Sequence, residues 1–160
     1  LPIWIAVVRL AERVRPLHDA ASAMLEEQER QMLAQKLAVV TGAARGLGLS
    51  VARELAAAGC LVLMVGRTAE TIEDAARDLQ ALGHKVLPHV ADVTDASAVA
   101  ALAARLRREF GRADILVNNA GVLLEPRGFA VPEGASALVV DPEIVAATYA
   151  CNALAPLRLI

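Results

Sequence analysis

The sequence predicts an α/β fold: a doubly wound parallel sheet with helices on both faces, three layers in all. Three observations carry this expectation. From Lys36 onward, short apolar runs of strand character alternate with longer segments of helical periodicity. The runs are continuous rather than alternating, "KLAVV" and "CLVLMVG" above all, as when both faces of a strand are covered. Glycines punctuate the helix ends at Gly59, Gly83 and Gly111.

The elements follow in order. Residues 1–35 read as a mostly helical leader, broken at Pro16, with "EEQERQ" as a solvated stretch. "KLAVVT" is the first strand. In the next segment Leu49, Ala52, Leu55 and Ala56 recur at helical spacing, and the helix ends near Gly59. "CLVLMVG" is the second strand, and "AETIEDAARDLQALG" is a helix ending at Gly83. "HKVLPHVAD" holds the third strand, with Pro88 expected near its end or at a bulge because proline cannot donate to a ladder. "DASAVAALAARLRREFG" is the third helix, capped by Thr94 or Asp95. "ADILVNNAG" gives the fourth strand and a turn. Residues 122–140 are too long for an ordinary connection and read as a surface insertion. Asp141 as N-cap and Pro142 at the first helical position open the final helix. Right-handed crossovers then give the strand order 3-2-1-4. Residues 36–160 form the domain. Both chain ends read as cut, and the sheet as truncated after the fourth strand and its following helix.

Composition narrows the function. The chain is 56% hydrophobic and 21% charged, which excludes disorder and allows a substantial core. Aromatic residues make up 2% and the net charge is -2, so no nucleic-acid surface is expected. Cys60 and Cys151 have neither disulfide nor zinc spacing and read as small buried residues of a reducing, cytoplasmic compartment. "LPIWIAVVRL" falls well short of the roughly 20 residues of a spanning helix and lacks a signal cleavage site. A helix covering an apolar patch, or the tail of an upstream segment, is favoured over membrane-surface contact through residues 1–10. His18, His84 and His89 lack metal-ligand spacing, so no metal site is expected.

The stretch "VVTGAARGLG" places Gly42, Gly46 and Gly48 between a strand and a helix. Glycine costs backbone entropy, so such a cluster marks a backbone that something approaches closely. The turn also sits at the positive end of the helix dipole, beside unpaired N–H groups, and its natural guest is a phosphate. The GxxxxGK[ST] alternative fails for want of the lysine.

With "TGAARGLG" at 41–48, "ADV" at 91–93, "LVNNAG" at 116–121 and Asn152 in the helix beyond, the chain resembles the short-chain dehydrogenase/reductase family over residues 36–160. Its carbonyl-reductase-type members are the most similar. The resemblance implies a Rossmann-type fold and an oxidoreductase that moves hydride between a nicotinamide and a small carbonyl or alcohol substrate, homo-oligomeric when complete. It also assigns residues. Thr41 opens the motif, Gly42 permits the tight turn, Gly46 and Leu47 meet the pyrophosphate through backbone, and Gly48 lets the helix pack close to the sheet. Asp92 and the Val93 amide meet the adenine, against the alternative that Asp92 merely neighbours a helix cap. Asn119, Ala120 and Gly121 pass their backbone along the ribose. Asn118 is assigned as a structural tie between strands, and Asn152 as the catalytic asparagine.

An acid ending the second strand would accept from the free ribose 2′-OH of NAD(H). This chain has "VGRT" there, with Arg67, and Arg45 beside the glycine turn. Two guanidinium groups suit a 2′-phosphate, so NADP(H) is favoured over NAD(H). The family's serine and Tyr-x-x-x-Lys pair are missing. Tyr149 precedes Asn152, is followed four residues later by Ala153, and reads as a packing residue; Ser136 falls in the insertion. These 160 residues alone are therefore expected to be inactive. The alternative reading is a non-catalytic dinucleotide-binding or sensor module.

Overall fold

A computed structural model of the chain describes residues 19, 22–25, 27–28, 30–122 and 142–160. The leader to residue 18, the insertion from residue 123 and the expected cap Asp141 lie outside them. Four strands, β1 (Leu37–Thr41), β2 (Leu61–Gly66), β3 (Val86–Val90) and β4 (Ile115–Val117), pair in parallel in the order β3-β2-β1-β4. The expected fold class and strand order hold. Helices α1 (Gly46–Ala57), α2 (Ala69–Ala81) and α3 (Ala96–Glu109) follow the first three strands. One helical run closes the chain: α4 (Pro142–Tyr149), a π-turn (Ala150–Leu154) and α5 (Ala155–Leu159). The described leader residues up to Leu33 are also helical, and Cys60 Sγ donates to the Leu33 carbonyl at 3.4 Å.

Strand side chains alternate between faces, and here both faces are covered. Ala38, Val40, Val62 and Met64 pack under α1 and α2, against Ala52, Ala56, Ile72 and Leu79. Leu37, Val39, Leu63 and Val65 face the other way, against Leu102 of α3 and Ala155 of α5. That is why β1 and β2 read as unbroken apolar runs. Alanine supplies much of the helical contact surface, so the helices lie close to the sheet.

One local expectation is corrected and another is narrowed to one of its two alternatives. Pro88 sits in the middle of β3, opposite Met64, not at an end or bulge. It is tolerated because β3 pairs on one side only. The open side is partly covered by Arg105 of α3, which donates to the Pro88 carbonyl at 3.3 Å and meets His89 Nδ1 at 3.0 Å. The cap of α3 is Asp95, whose carboxylate accepts from the Ser97 amide at 2.8 Å. Thr94 serves Asp92 instead. No helix among the described residues is long and apolar enough to cross a membrane.

At the amino end of the sheet Asp114 pins β4 to β1. Its amide donates to the Leu37 carbonyl at 2.9 Å, and its Oδ2 accepts from the Leu37 amide at 3.0 Å. Lys36 and Arg112 stand beside the same carboxylate, at 3.5 and 3.1 Å. The Leu37 hydrogen bond, then these two cations, hold the Asp114 carboxyl below its ordinary range. Because the folded value is depressed, its stabilisation is full above the unfolded value of about 4 and is lost as pH falls through the folded value. Urea unfolding followed from pH 7 to pH 3 should show this acid-side loss, and Asp114→Asn should lower the midpoint at pH 7 while flattening the acid limb. An acid limb unchanged by the substitution would contradict the assignment.

Candidate functional site

β1 is flanked by β2 and β4, so the chain winds away from it in both directions and leaves a crevice at the strands' carboxyl ends. A cleft of about 610 Å³ opens there. Its walls are the turn after β1 (Gly42, Ala44, Arg45, Gly46), the end of β2 with its connection (Val65 to Thr68, and Thr71), Ala91 to Val93 after β3, Asn119 to Val122 after β4, and Cys151 from the π-turn.

The glycine turn is built for approach. Gly42 and Gly46 have φ of +66° and +57°, a left-handed backbone that side chains rarely adopt. A Cβ on Gly46 would meet no other atom of the described residues within 4 Å, so among them the space above it is open. The Leu49 amide donates to Arg45 O at 3.4 Å, which leaves the amides of Gly46, Leu47 and Gly48 ahead of the helical ladder. The N-cap residue Arg45 makes no side-chain capping bond to them, and no acidic residue lies in the first turn. A helix start of this kind offers an anion its free amides and the positive end of the dipole. Gly48 works differently: a Cβ there would overlap Gly42 O and Asn119 Nδ2.

Thr41 and Asn119 hold the turn to the β4 loop. Thr41 is 1% exposed, the only buried polar side chain among the described residues. Its Oγ1 accepts from the Asn119 amide at 3.1 Å and the Ala120 amide at 3.0 Å, and donates to Val117 O at 3.3 Å. A hydroxyl has one donor and two acceptor sites, and all are filled. The Asn119 side chain donates to the carbonyls of Thr41 at 3.0 Å and Gly42 at 3.2 Å, groups that β1 leaves unpaired as it ends. The structural tie is thus Asn119 rather than Asn118. The pleat explains the correction. Val117 packs on the α1 face and Leu116 on the α3 face. Continuing that alternation puts Asn119 toward the glycine turn; Asn118 lies with Val39 and Leu102 in a separate groove and is exposed.

Asp92 lines the cleft after β3, with its Oδ1 accepting from the Thr94 amide at 2.9 Å and the Thr94 hydroxyl at 2.6 Å. Those two bonds, with a smaller contribution from Arg67, keep the carboxyl ionised below its usual range. In the sequence Thr94 reads only as a helix cap, although its partnership with Asp92 has a signal: Asp-x-Thr is the spacing of a side-chain-closed turn and recurs at Asp95 and Ser97. Arg45 and Arg67 both line the cleft, are exposed, and form no ion pair among the described residues. Leu47 points outward, 73% exposed, leaving its backbone as the contribution to the turn.

Asn152 comes from the π-turn, where the Ala155 amide donates to Ala150 O, five residues back. Its side chain is held at both ends by one partner: Oδ1 accepts from the Val122 amide and Nδ2 donates to the Val122 carbonyl, each at 2.8 Å. It holds the end of the β4 loop. Tyr149, expected to pack, is 58% exposed and lies outside the cleft lining. Cys151 is buried as expected, and burial raises its thiol pKa. Its place in the cleft wall was not legible, because the π-turn that turns it there leaves no mark in the sequence.

The family model described as short chain dehydrogenase matches residues 36–160. Over 97 residues, 61% of this chain and 38% of the relative, the chain is 47% identical to cis-4-hydroxycyclohexanecarboxylate dehydrogenase of Sinomonas cyclohexanicum. Over 85 residues, 53% of this chain and 33% of the relative, it is 46% identical to gluconate 5-dehydrogenase of Gluconobacter oxydans. Among solved structures it is similar to L-sorbose reductase from Gluconobacter frateurii complexed with NADPH and L-sorbose, with a TM-score of 0.68 at 31% identity. That match covers 79% of this chain and 45% of the reductase. A metagenomic short-chain oxidoreductase in complex with NADP gives a TM-score of 0.69 at 34% identity, over 79% of this chain and 54% of that one. The chain spans only about a third to a half of the length of these proteins.

The Thr41 node makes a direct prediction. Thr41→Val keeps the shape but leaves the Ala120 amide without its partner and the Asn119 amide and Val117 carbonyl with only each other, and should cost about 2–3 kcal/mol in urea unfolding. Thr41→Ser keeps the hydroxyl and should cost about 1 kcal/mol, the worth of one methyl group. Equal midpoints for the two variants would remove the hydroxyl from its assigned role.

Proposed function

The chain belongs to the short chain dehydrogenase family, and from that premise we propose that it is the dinucleotide-binding part of an NADP(H)-dependent oxidoreductase acting on a small carbonyl or alcohol. The observation that carries the reading is the glycine turn: open space above Gly46, three α1 amides ahead of the helical ladder, and Asp92 and Arg67 in the same cleft. The residues fit the cofactor. The α1 amides would receive the pyrophosphate, Asp92 and the Val93 amide the adenine, and the backbone from Asn119 to Gly121 the adjoining ribose. When bound, the nicotinamide supplies or accepts hydride.

Binding and positioning are what this chain contributes. Thr41 and Asn119 set the distance between the glycine turn and the β4 loop. Asn152, through Val122, sets where that loop ends, and so acts as a positioning residue. By the same reading these residues hold cofactor without turning it over. Hydride transfer to a carbonyl needs a proton donor within hydrogen-bond reach. Tyr149 is exposed, outside the cleft lining, and has Ala153 four residues on. Arg158 is permanently charged and a poor proton donor.

The preference for NADP(H) rests on Arg45 and Arg67, two cations without an ion-pair partner among the described residues, at a cleft wall with no acid ending β2. A charge-assisted phosphate contact at an exposed guanidinium is worth about tenfold in affinity. Calorimetric titration of the chain should show NADPH binding about tenfold more tightly than NADH, and Arg67→Ala should remove most of that difference. Equal affinities, or a preference untouched by Arg67→Ala, would overturn the cofactor assignment.

A further inference from the structure

The closing helical run touches both rims of the cleft. Asn152 fastens it to Val122 on the β4 side. Two turns later Arg158 reaches the β3 side, where its Nη1 donates to the Thr94 carbonyl at 2.8 Å. Thr94 is the residue whose amide and hydroxyl both bind Asp92 Oδ1. Its three polar groups are therefore committed: two to Asp92, one to Arg158. The chain of contacts runs from the guanidinium through one residue to a carboxylate in the cleft wall.

We propose that Arg158 is a positioning residue for the adenosine end of the dinucleotide site, holding the turn at 92–94 through Thr94 and so fixing where Asp92 stands. This rests on the dinucleotide reading of the cleft. The geometry gives the turn few other anchors. Thr94 follows directly on Val93, whose side chain is buried with Ala91 and Leu102 against the sheet, and α3 begins two residues after Thr94. The side chains that close the turn, Asp92 and Thr94, are bonded to each other and would move as a unit. The Ala91 amide ties the start of the turn to the Gly66 carbonyl at 2.9 Å, and Arg158 supplies a side-chain hydrogen bond to Thr94 itself from outside that unit, across 64 positions of sequence. A guanidinium suits the task because it is always charged and a carbonyl is a good acceptor for it. The helix that carries Cys151 into the cleft wall thereby also sets the wall's far side.

The test separates the two ends of the cofactor, using 2′,5′-ADP and nicotinamide mononucleotide as separate probes of the whole chain. Arg158→Met keeps the aliphatic stem and removes the donor; Arg158→Lys restores a cation. Calorimetry should show 2′,5′-ADP binding about fivefold more weakly to Arg158→Met, the low end for a charge-assisted bond at an exposed site, with Arg158→Lys recovering most of it. Nicotinamide mononucleotide affinity should not change, and the thermal midpoint should stay within about 2 °C. Unchanged 2′,5′-ADP binding in Arg158→Met would overturn the proposal. Equal weakening of both probes, or a midpoint several degrees lower, would reduce Arg158 to a structural role and overturn it as well. If the unaltered chain bound neither probe, the reading of the cleft itself would fall, and this inference with it.

Discussion

One hydroxyl carries the geometry of the cleft. Thr41 ends β1 at the place where the sheet's winding reverses, and its Oγ1 must satisfy two amides and a carbonyl from the neighbouring strand's exit. A buried hydroxyl with every site filled is rigid, because any displacement leaves a polar group unpaired away from water. The Asn119 amide completes the arrangement by taking the two carbonyls that β1 cannot pair. Together they fix the β4 loop against the glycine turn, close enough that a Cβ on Gly42 would stand 2.9 Å from Ala120 Cα. The glycines are a consequence of this closeness as much as of any ligand.

The two kinds of glycine requirement therefore separate. Gly48 and Gly42 are needed by the fold, since side chains there would press on Asn119 or on its neighbour Ala120. At Gly46 the requirement is the backbone alone: its φ is +57°, and no other atom among the described residues crowds its Cβ position. The uncapped start of α1 belongs with Gly46. Three amides left without side-chain partners, at the positive end of a helix, cost the free chain little while water solvates them and become selective when an anion takes that place.

Much of this was legible in residue order. The strands could be read because both faces of the sheet are covered, so apolar runs are unbroken; the helices because Gly59, Gly83 and Gly111 close them. The glycine turn, Asp92 and the Asn-Asn-Ala-Gly loop were placed correctly at the carboxyl ends of their strands. What failed needed three-dimensional knowledge. Asn118 and Asn119 are adjacent and chemically identical, and only the pleat decides which faces the turn; a shift of one residue exchanges the faces. Pro88 was misplaced because edge status belongs to the sheet, not to the strand. Tyr149 reads as a packing residue once its order relative to Asn152 and the Ala153 that follows set it aside from catalysis, yet the helix presents it outward. The contact from Arg158 to Thr94 had no sequence signal, since the two positions are joined only by how α5 lies over α3.

On the proposed reading, four loops form one dinucleotide site across the carboxyl ends of β1 to β4. Hydrogen exchange of the backbone amides, with and without saturating NADPH, tests it most directly, because it reports each loop separately in one experiment. Slowed exchange is expected together at Gly46 to Gly48, at Gly66 to Thr68, at Asp92 to Thr94 and at Asn119 to Val122, with the carboxyl-terminal half of α2 unchanged. Slowing confined to one of these loops, or centred on the groove beside Asn118, would contradict it.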